Sequence, residues 1–164
     1  MLPVPRGRWD LALSLTVAWM LAIAPLPSAA AWFWPHWPAL VLIYWGLETG
    51  RLLNLKLVFG LGLTLDLLRG GLLGQQALRL TILAFLIGQF RHRIRYHETL
   101  TQALTVFVLL LNDRFIEMLI LLARGRGWPP AAFWLAPLAG ALVWPWVFLL
   151  LDRLRDRSRN RATR

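Results

Sequence analysis

The chain of 164 residues has no cysteine, few serines and few acidic residues. The absence of cysteine excludes a disulfide framework, a thiolate nucleophile and thiolate metal ligands. The three serines, Ser14, Ser28 and Ser158, lie outside any Gly-x-Ser-x-Gly context, and no Gly-x-x-x-x-Gly-Lys phosphate loop occurs. Because no residue stands out as catalytic, we expect no enzyme activity, no cofactor and no metal.

Apolar residues fill most of the chain and come in long blocks. They make up 58% of it, with a mean hydropathy of +0.55, whereas ordinary soluble domains contain about 45–50%. A lipid bilayer admits only helices or closed barrels, and barrel strands alternate apolar and polar residues, which these blocks do not. The sequence therefore predicts an all-α, polytopic helical membrane protein.

Six apolar segments are predicted to span the membrane as helices. A hydrocarbon core needs about 20 helical residues, so the second to fourth segments are short. The first segment resembles a signal peptide but is long for one, and we expect it to stay uncleaved. The segments cover residues 9–26, 32–48, 52–68, 72–90, 100–123 and 131–151, and they form a single transmembrane domain (1–151) followed by a basic tail (152–164).

The positions of the basic residues predict the orientation. Six spans place thirteen Lys and Arg residues on the side of the two termini and three, Arg69, Arg124 and Arg126, on the other. The cytoplasmic side of membrane proteins carries the excess of Lys and Arg. We therefore expect a multi-pass membrane protein with both termini in the cytoplasm. The net charge of +10 suggests contact with anionic lipid rather than nucleic acid.

A polar corner lies between the third and fourth segments. Asp66 ends one segment, a Gly-Gly turn follows, and Arg79 lies early in the next. We predict that Asp66 pairs with Arg79, because an unpaired charge at membrane depth is costly. The corner either receives a partner or polar ligand, or is a tight outer turn with its charges among the headgroups. Its candidate residues are Gly60, Gly62, Asp66, Gly70, Gly71, Gly74, Gln75, Gln76 and Arg79.

A second polar group, Asn112, Asp113, Arg114 and Glu117, lies inside the fifth segment. Asp113 and Glu117 share a helix face, and Arg114 lies within reach of Glu117. Ionisable residues inside a membrane segment indicate function by default. We favour the alternative, an internally neutralised cluster that locks the bundle through Asp66 or Arg79, over a bound cation.

The histidines and the tail give weaker signals. His36 lies in an aromatic stretch and His92 and His97 lie in a basic loop, so we interpret all three as solvated. We interpret the tail as a solvated, disordered end that fixes topology, and contact with anionic lipid or an acidic cytoplasmic partner stays open as the alternative. Its contact residues are Arg153, Arg155, Arg157 and Arg159.

The polar corner also carries a family resemblance. Tyr44-Trp45 and Arg51 are followed by Gly60-x-Gly62-x-x-x-Asp66-x-x-x-Gly70 and Leu72-Leu73-Gly74-Gln75-x-Ala77-Leu78. From about residue 38 to 95 this order resembles the bacterial rod shape-determining protein MreD family, although Gln76 stands where the family often has His or Asn.

That resemblance implies a non-catalytic member of the cell-wall elongation machinery. Such a protein lies in the cytoplasmic membrane with MreC, and together they link MreB filaments to the peptidoglycan polymerase RodA and its transpeptidase partner. The resemblance also implies a six-helix fold similar to the substrate-binding subunits of energy-coupling-factor transporters.

Two functions stay open on the sequence. The first is a scaffold that binds MreC, and possible further copies of itself, through small residues and buried polar groups. The second is a small-molecule, vitamin-type binding subunit of a transporter, for which Asn112, Asp113, Gln75 and Gln76 are candidate cavity residues. A membrane-embedded enzyme lacks a nucleophile or metal ligands in the sequence.

Overall fold

The computed structural model describes residues 7–25, 33–48, 54–94 and 99–160, with the backbone alone described for 7–9, 90, 92–94, 99–100 and 157–160. Across these ranges the chain is helical and without strands, which confirms the predicted all-α class. A short 3-10 turn, Ala131–Trp134, precedes the last helix. The helices are α1 (Gly7–Ile23), α2 (Trp37–Glu48), α3 (Leu55–Arg69), α4 (Gln75–Ile94), α5 (Thr99–Ala123) and α6 (Leu135–Asn160).

Helix α2 is the centre of the bundle. All of its residues from Pro38 to Leu47 are buried, and α1, α4, α5 and α6 pack against it. A helix that is apolar on every side is typical of such a position. Its 12 residues extend only about 18 Å, less than the hydrocarbon core of about 30 Å. A short helix is tolerated at membrane depth when protein surrounds it.

Helices α3 and α4 form a close antiparallel hairpin, the most extensive helix pair in the described chain. Gly62 of α3 lies directly against the backbone of Ala77 in α4, and a Cβ atom at residue 62 would lie 2.6 Å from the Ala77 nitrogen. Helix α3 ends at Arg69 and is capped by Gly70, which adopts a left-handed conformation with φ of 60°. Glycine tolerates both the close approach and the positive φ.

The outer surface of the bundle is apolar. Each helix except α2 exposes large apolar side chains, as at Leu13, Phe59, Phe85, Val108 and Leu142. In the part of the chain that the structure describes, one helical stretch, Ala131–Asp156, is long and apolar enough to cross a membrane by length and composition, and Asp10–Ile23 is a shorter apolar helix. Each of the six predicted segments overlaps one of the helices, and their role as spans stays a prediction.

Helix α6 continues through Asn160, so the expectation of a disordered tail is wrong for residues 152–160. The extension has partners on the bundle, which explains why it stays helical. Arg155 forms an ion pair with Glu48 at the end of α2, and the Tyr44 hydroxyl donates to Asp152 at 3.4 Å. Residues 161–164 lie outside the described residues.

Candidate functional site

Most of the buried polar side chains lie towards one end of the bundle, where α3 joins α4, which we call the corner end. The opposite end, where α6 finishes, is the tail end. Asp66 is buried at the corner end with 3% of its surface exposed. Its carboxylate accepts hydrogen bonds from the backbone N–H groups of Gly74 at 2.9 Å, Gln76 at 2.8 Å and Ala77 at 3.3 Å. Since the first N–H groups of a helix have no partner within it, Asp66 caps α4 from the preceding helix.

The predicted ion pair between Asp66 and Arg79 is wrong. Asp66 is occupied by the backbone of the turn, and Arg79 instead binds Asp113 of α5. The alternative of a turn with its charges among the headgroups is also wrong, because both Asp66 and Arg79 are buried. The corner is therefore closed by side chain-to-backbone hydrogen bonds rather than by a salt bridge.

Arg79 and Asp113 form a bidentate ion pair across α4 and α5. The Arg79 Nε donates to Asp113 Oδ1 at 2.9 Å, and its Nη2 donates to Asp113 Oδ2. Arg79 is 2% exposed and Asp113 is 1% exposed, so the pair is fully removed from solvent. The predicted contact of the fifth-segment cluster with Arg79 is confirmed, whereas its contact with Asp66 is not.

Two further charges join this pair. Arg79 Nη2 lies 3.2 Å from Glu117 Oε2, and Arg114 Nη1 donates to the same oxygen at 2.7 Å. The Arg114 guanidinium also lies 4.7 Å from the centroid of the Phe133 ring, a cation–π contact. These two arginines and two carboxylates neutralise one another, as the sequence predicts.

His36 completes the group, and its interpretation as a solvated residue is wrong. It is 8% exposed, and its Nδ1 lies 2.9 Å from Asp113 Oδ2. Residue 36 immediately precedes α2, so the central helix places it at the corner end. No regular spacing in the sequence links His36 with Asp113, which lies 77 positions further along the chain. We call His36, Arg79, Asp113, Arg114 and Glu117 the buried ion cluster.

The other predicted site residues serve different purposes. Gly62 provides helix contact within the chain, whereas at Gly60, which is exposed, a Cβ atom would have no neighbouring group of the described residues within 4 Å. Gly70 and Gly74 have positive φ, and Gly71 is exposed. Gln76 is buried and binds Asp66 through its backbone, and Gln75 is half-buried at the start of α4. Asn112 is half-buried, and its Oδ1 has no partner among the described residues.

The tail arginines differ from one another. Arg153 is exposed, whereas Arg155 is half-buried and bonded to Glu48, with Asp152 at 3.0 Å. The side chains of Arg157 and Arg159 lie outside the described residues, as do those of His92 and His97. Sequence reasoning also missed a contact between α1 and α2, in which the Trp45 Nε1 donates to Ser14 Oγ at 2.9 Å.

Comparison with known proteins identifies the family. The family model described as rod shape-determining protein MreD matches residues 6–154. The chain belongs to the MreD family. A curated relative, the rod shape-determining protein MreD of Haemophilus influenzae, is 33% identical over 158 residues, which is 92% of this chain and 93% of the relative. No solved structure matches the chain, so the expected likeness to energy-coupling-factor subunits finds no support there.

Membership in this family makes the chain a membrane protein with a role in cell shape. Within the site, both oxygens of Asp113 and both oxygens of Asp66 are already bonded to other groups of the chain. Carboxylates held in this way fix helices relative to one another. The arrangement is therefore suited to maintaining a rigid membrane body.

Proposed function

We propose that this protein is a non-catalytic scaffold subunit of the bacterial cell-wall elongation complex. It binds MreC directly and helps couple MreB filaments inside the cell to RodA and its transpeptidase partner. It spans the inner membrane six times, with the tail end in the cytoplasm and the corner end outside.

One observation carries the proposal: the charged groups bind one another inside the bundle while the outer surface is apolar. The buried ion cluster connects α2, α4 and α5, and five helices expose large apolar side chains. A surface of this kind is stable in lipid and presents helix faces to other membrane proteins. The family match supports the role in cell shape.

The exposed face of α3 is the best candidate for the contact with MreC. Gly60 lies there with open space around it, near the exposed side chains of Leu57 and Phe59. Small residues let transmembrane helices approach closely. A partner helix on this face would cover Gly60 without disturbing the packing of Gly62 on Ala77.

Co-purification with MreC tests this contact. The Gly60→Leu variant fills the space on α3, where its Cβ atom meets no neighbouring helix among the described residues, so we expect normal insertion and a loss of MreC of about tenfold or more. Ala123→Leu, at an exposed position at the end of α5, adds a side chain elsewhere and is the matched control.

The wild-type protein must retain MreC after solubilisation of the membrane in mild detergent. If it does not, the scaffold proposal fails. If wild type and Gly60→Leu retain MreC equally, the scaffold stands and its contact lies on another face.

A further inference from the structure

A cavity of about 210 Å³ lies beside the buried ion cluster at the corner end. It is bordered by α1, the segment before α2, and helices α3, α4 and α5. Its polar lining consists of His36, Arg69, Arg79, Arg114 and Glu117. None of the predicted ligand residues Gln75, Gln76, Asn112 and Asp113 lines this cavity.

The lining of the cavity carries an excess of positive charge. Asp113 and Glu117 neutralise Arg79 and Arg114, so the third guanidinium group of the lining, that of Arg69, leaves one positive charge in excess. Arg69 forms no ion pair with any described residue, and its Nη2 donates to the backbone oxygen of Ala22 at 2.8 Å. Its remaining N–H groups are available to an anion. Arginine binds phosphate and carboxylate groups through paired N–H donors.

His36 adds a second and independent indication of a ligand. Its Nδ1 faces a carboxylate, which only accepts hydrogen bonds, so Nδ1 carries the proton and donates to Asp113. Its Nε2 is buried and has no partner within the described part of the chain. A buried polar atom without a partner costs free energy. In the neutral imidazole this nitrogen accepts a hydrogen bond, which a protonated phosphate oxygen donates.

We infer that this cavity binds a protonated phosphate group with a single negative charge, either as a lipid phosphomonoester or as free phosphate. Arg69 and Arg114 donate to the unprotonated oxygens, and a hydroxyl of the phosphate donates to His36. Arg69 is exposed at the end of α3 beside exposed Leu68 and Leu72, a mixture of charge and apolar surface that suits the headgroup level of a membrane. The site is independent of the contact with MreC.

Thermal unfolding of the full-length protein in detergent tests the site with two probes. The first is inorganic phosphate near pH 6, compared with sulfate at equal ionic strength. Both anions stabilise proteins non-specifically by exclusion from the surface, but sulfate has no proton to donate. The second is short-chain phosphatidic acid, compared with the matching diacylglycerol. We expect each phosphate probe to raise the melting temperature above its comparison compound.

Three variants within the cavity and one control outside it decide whether the effect comes from this cavity. Arg69→Gln and Arg114→Gln each remove one charged donor and should weaken phosphate binding about tenfold. Glu117→Gln removes the opposing charge and should strengthen it. Arg124→Gln removes an exposed arginine at the same end that does not line the cavity, and should leave binding unchanged.

The source of the phosphate follows from the two probes. Stabilisation by phosphatidic acid alone identifies a lipid headgroup, and stabilisation by both shows that free phosphate suffices. The inference is overturned if neither probe exceeds its comparison compound, or if Arg69→Gln and Arg124→Gln bind equally. Melting temperatures measured without phosphate show whether each variant is folded.

Discussion

Asp113 illustrates how a charged residue is kept inside an apolar bundle. Its two oxygens bind the Arg79 guanidinium and the His36 imidazole, which belong to different elements. Burial of an ion is costly, and a close, hydrogen-bonded partner of opposite charge offsets that cost. The same residue therefore neutralises its surroundings and fixes α5 relative to α4 and the start of α2.

The buried pair predicts a non-additive response to substitution. Arg79→Met and Asp113→Leu each leave one buried charge without its main partner, and each should lower the free energy of unfolding by about 3 kcal/mol. The double variant should lose no more than either single variant, because it leaves neither charge behind. Urea or SDS titration of the purified protein measures the three values. Arg153→Met, at an exposed position, is the control, and additive losses in the double variant would contradict the assigned pair.

Asp66 shows which part of the site was accessible from sequence. Its place before a Gly-Gly turn marks a polar residue that closes a hairpin, and the structure agrees with that. Its partners were not predictable, because a carboxylate can accept hydrogen bonds from an arginine or from backbone N–H groups equally well. The hydrogen bonds that Asp66 accepts from the backbone N–H groups of Gly74, Gln76 and Ala77 depend on the geometry of the turn. The spacing of residues in the sequence does not specify that geometry.

At the scale of the helices, Gly60 and Gly62 of α3 allow a matched comparison, because only Gly62 packs against α4. Gly62→Ala forces a Cβ atom against the Ala77 backbone, and such overpacking costs about 1–3 kcal/mol. Gly60→Ala adds the same methyl group in open space, where alanine favours the helix by about 0.5–1 kcal/mol over glycine. The melting temperature should fall for Gly62→Ala and stay level or rise for Gly60→Ala. Equal effects at the two positions would disprove the close contact.

The helices themselves were largely predictable, and their contacts were not. Long apolar blocks between basic clusters locate all six helices, because the bilayer selects such blocks. The continuation of α6 beyond residue 151 was missed, since a basic tail in isolation gives no reason to be helical. Arg155 stabilises it by reaching Glu48, which lies 107 positions earlier. Pairings over such distances depend on how the bundle packs.

For the whole molecule, the lack of cysteine makes the proposed orientation directly testable. Gly71→Cys places a thiol at an exposed position of the corner end, and Ser158→Cys places one on the extension at the tail end. With six spans and both termini inside, a membrane-impermeant maleimide should label residue 71 in intact cells. It should label residue 158 only after permeabilisation. The unmodified protein is the blank, and the opposite pattern would reverse the orientation.

The burial of α2 has a consequence for biosynthesis. This helix is synthesised before α6, yet α6 completes its surroundings by meeting it through Tyr44 and Glu48. At about 18 Å it is too short to rest in lipid as an ordinary span. The nascent chain therefore holds its central helix incompletely enclosed until translation ends, and the protein reaches its final form only as a finished chain.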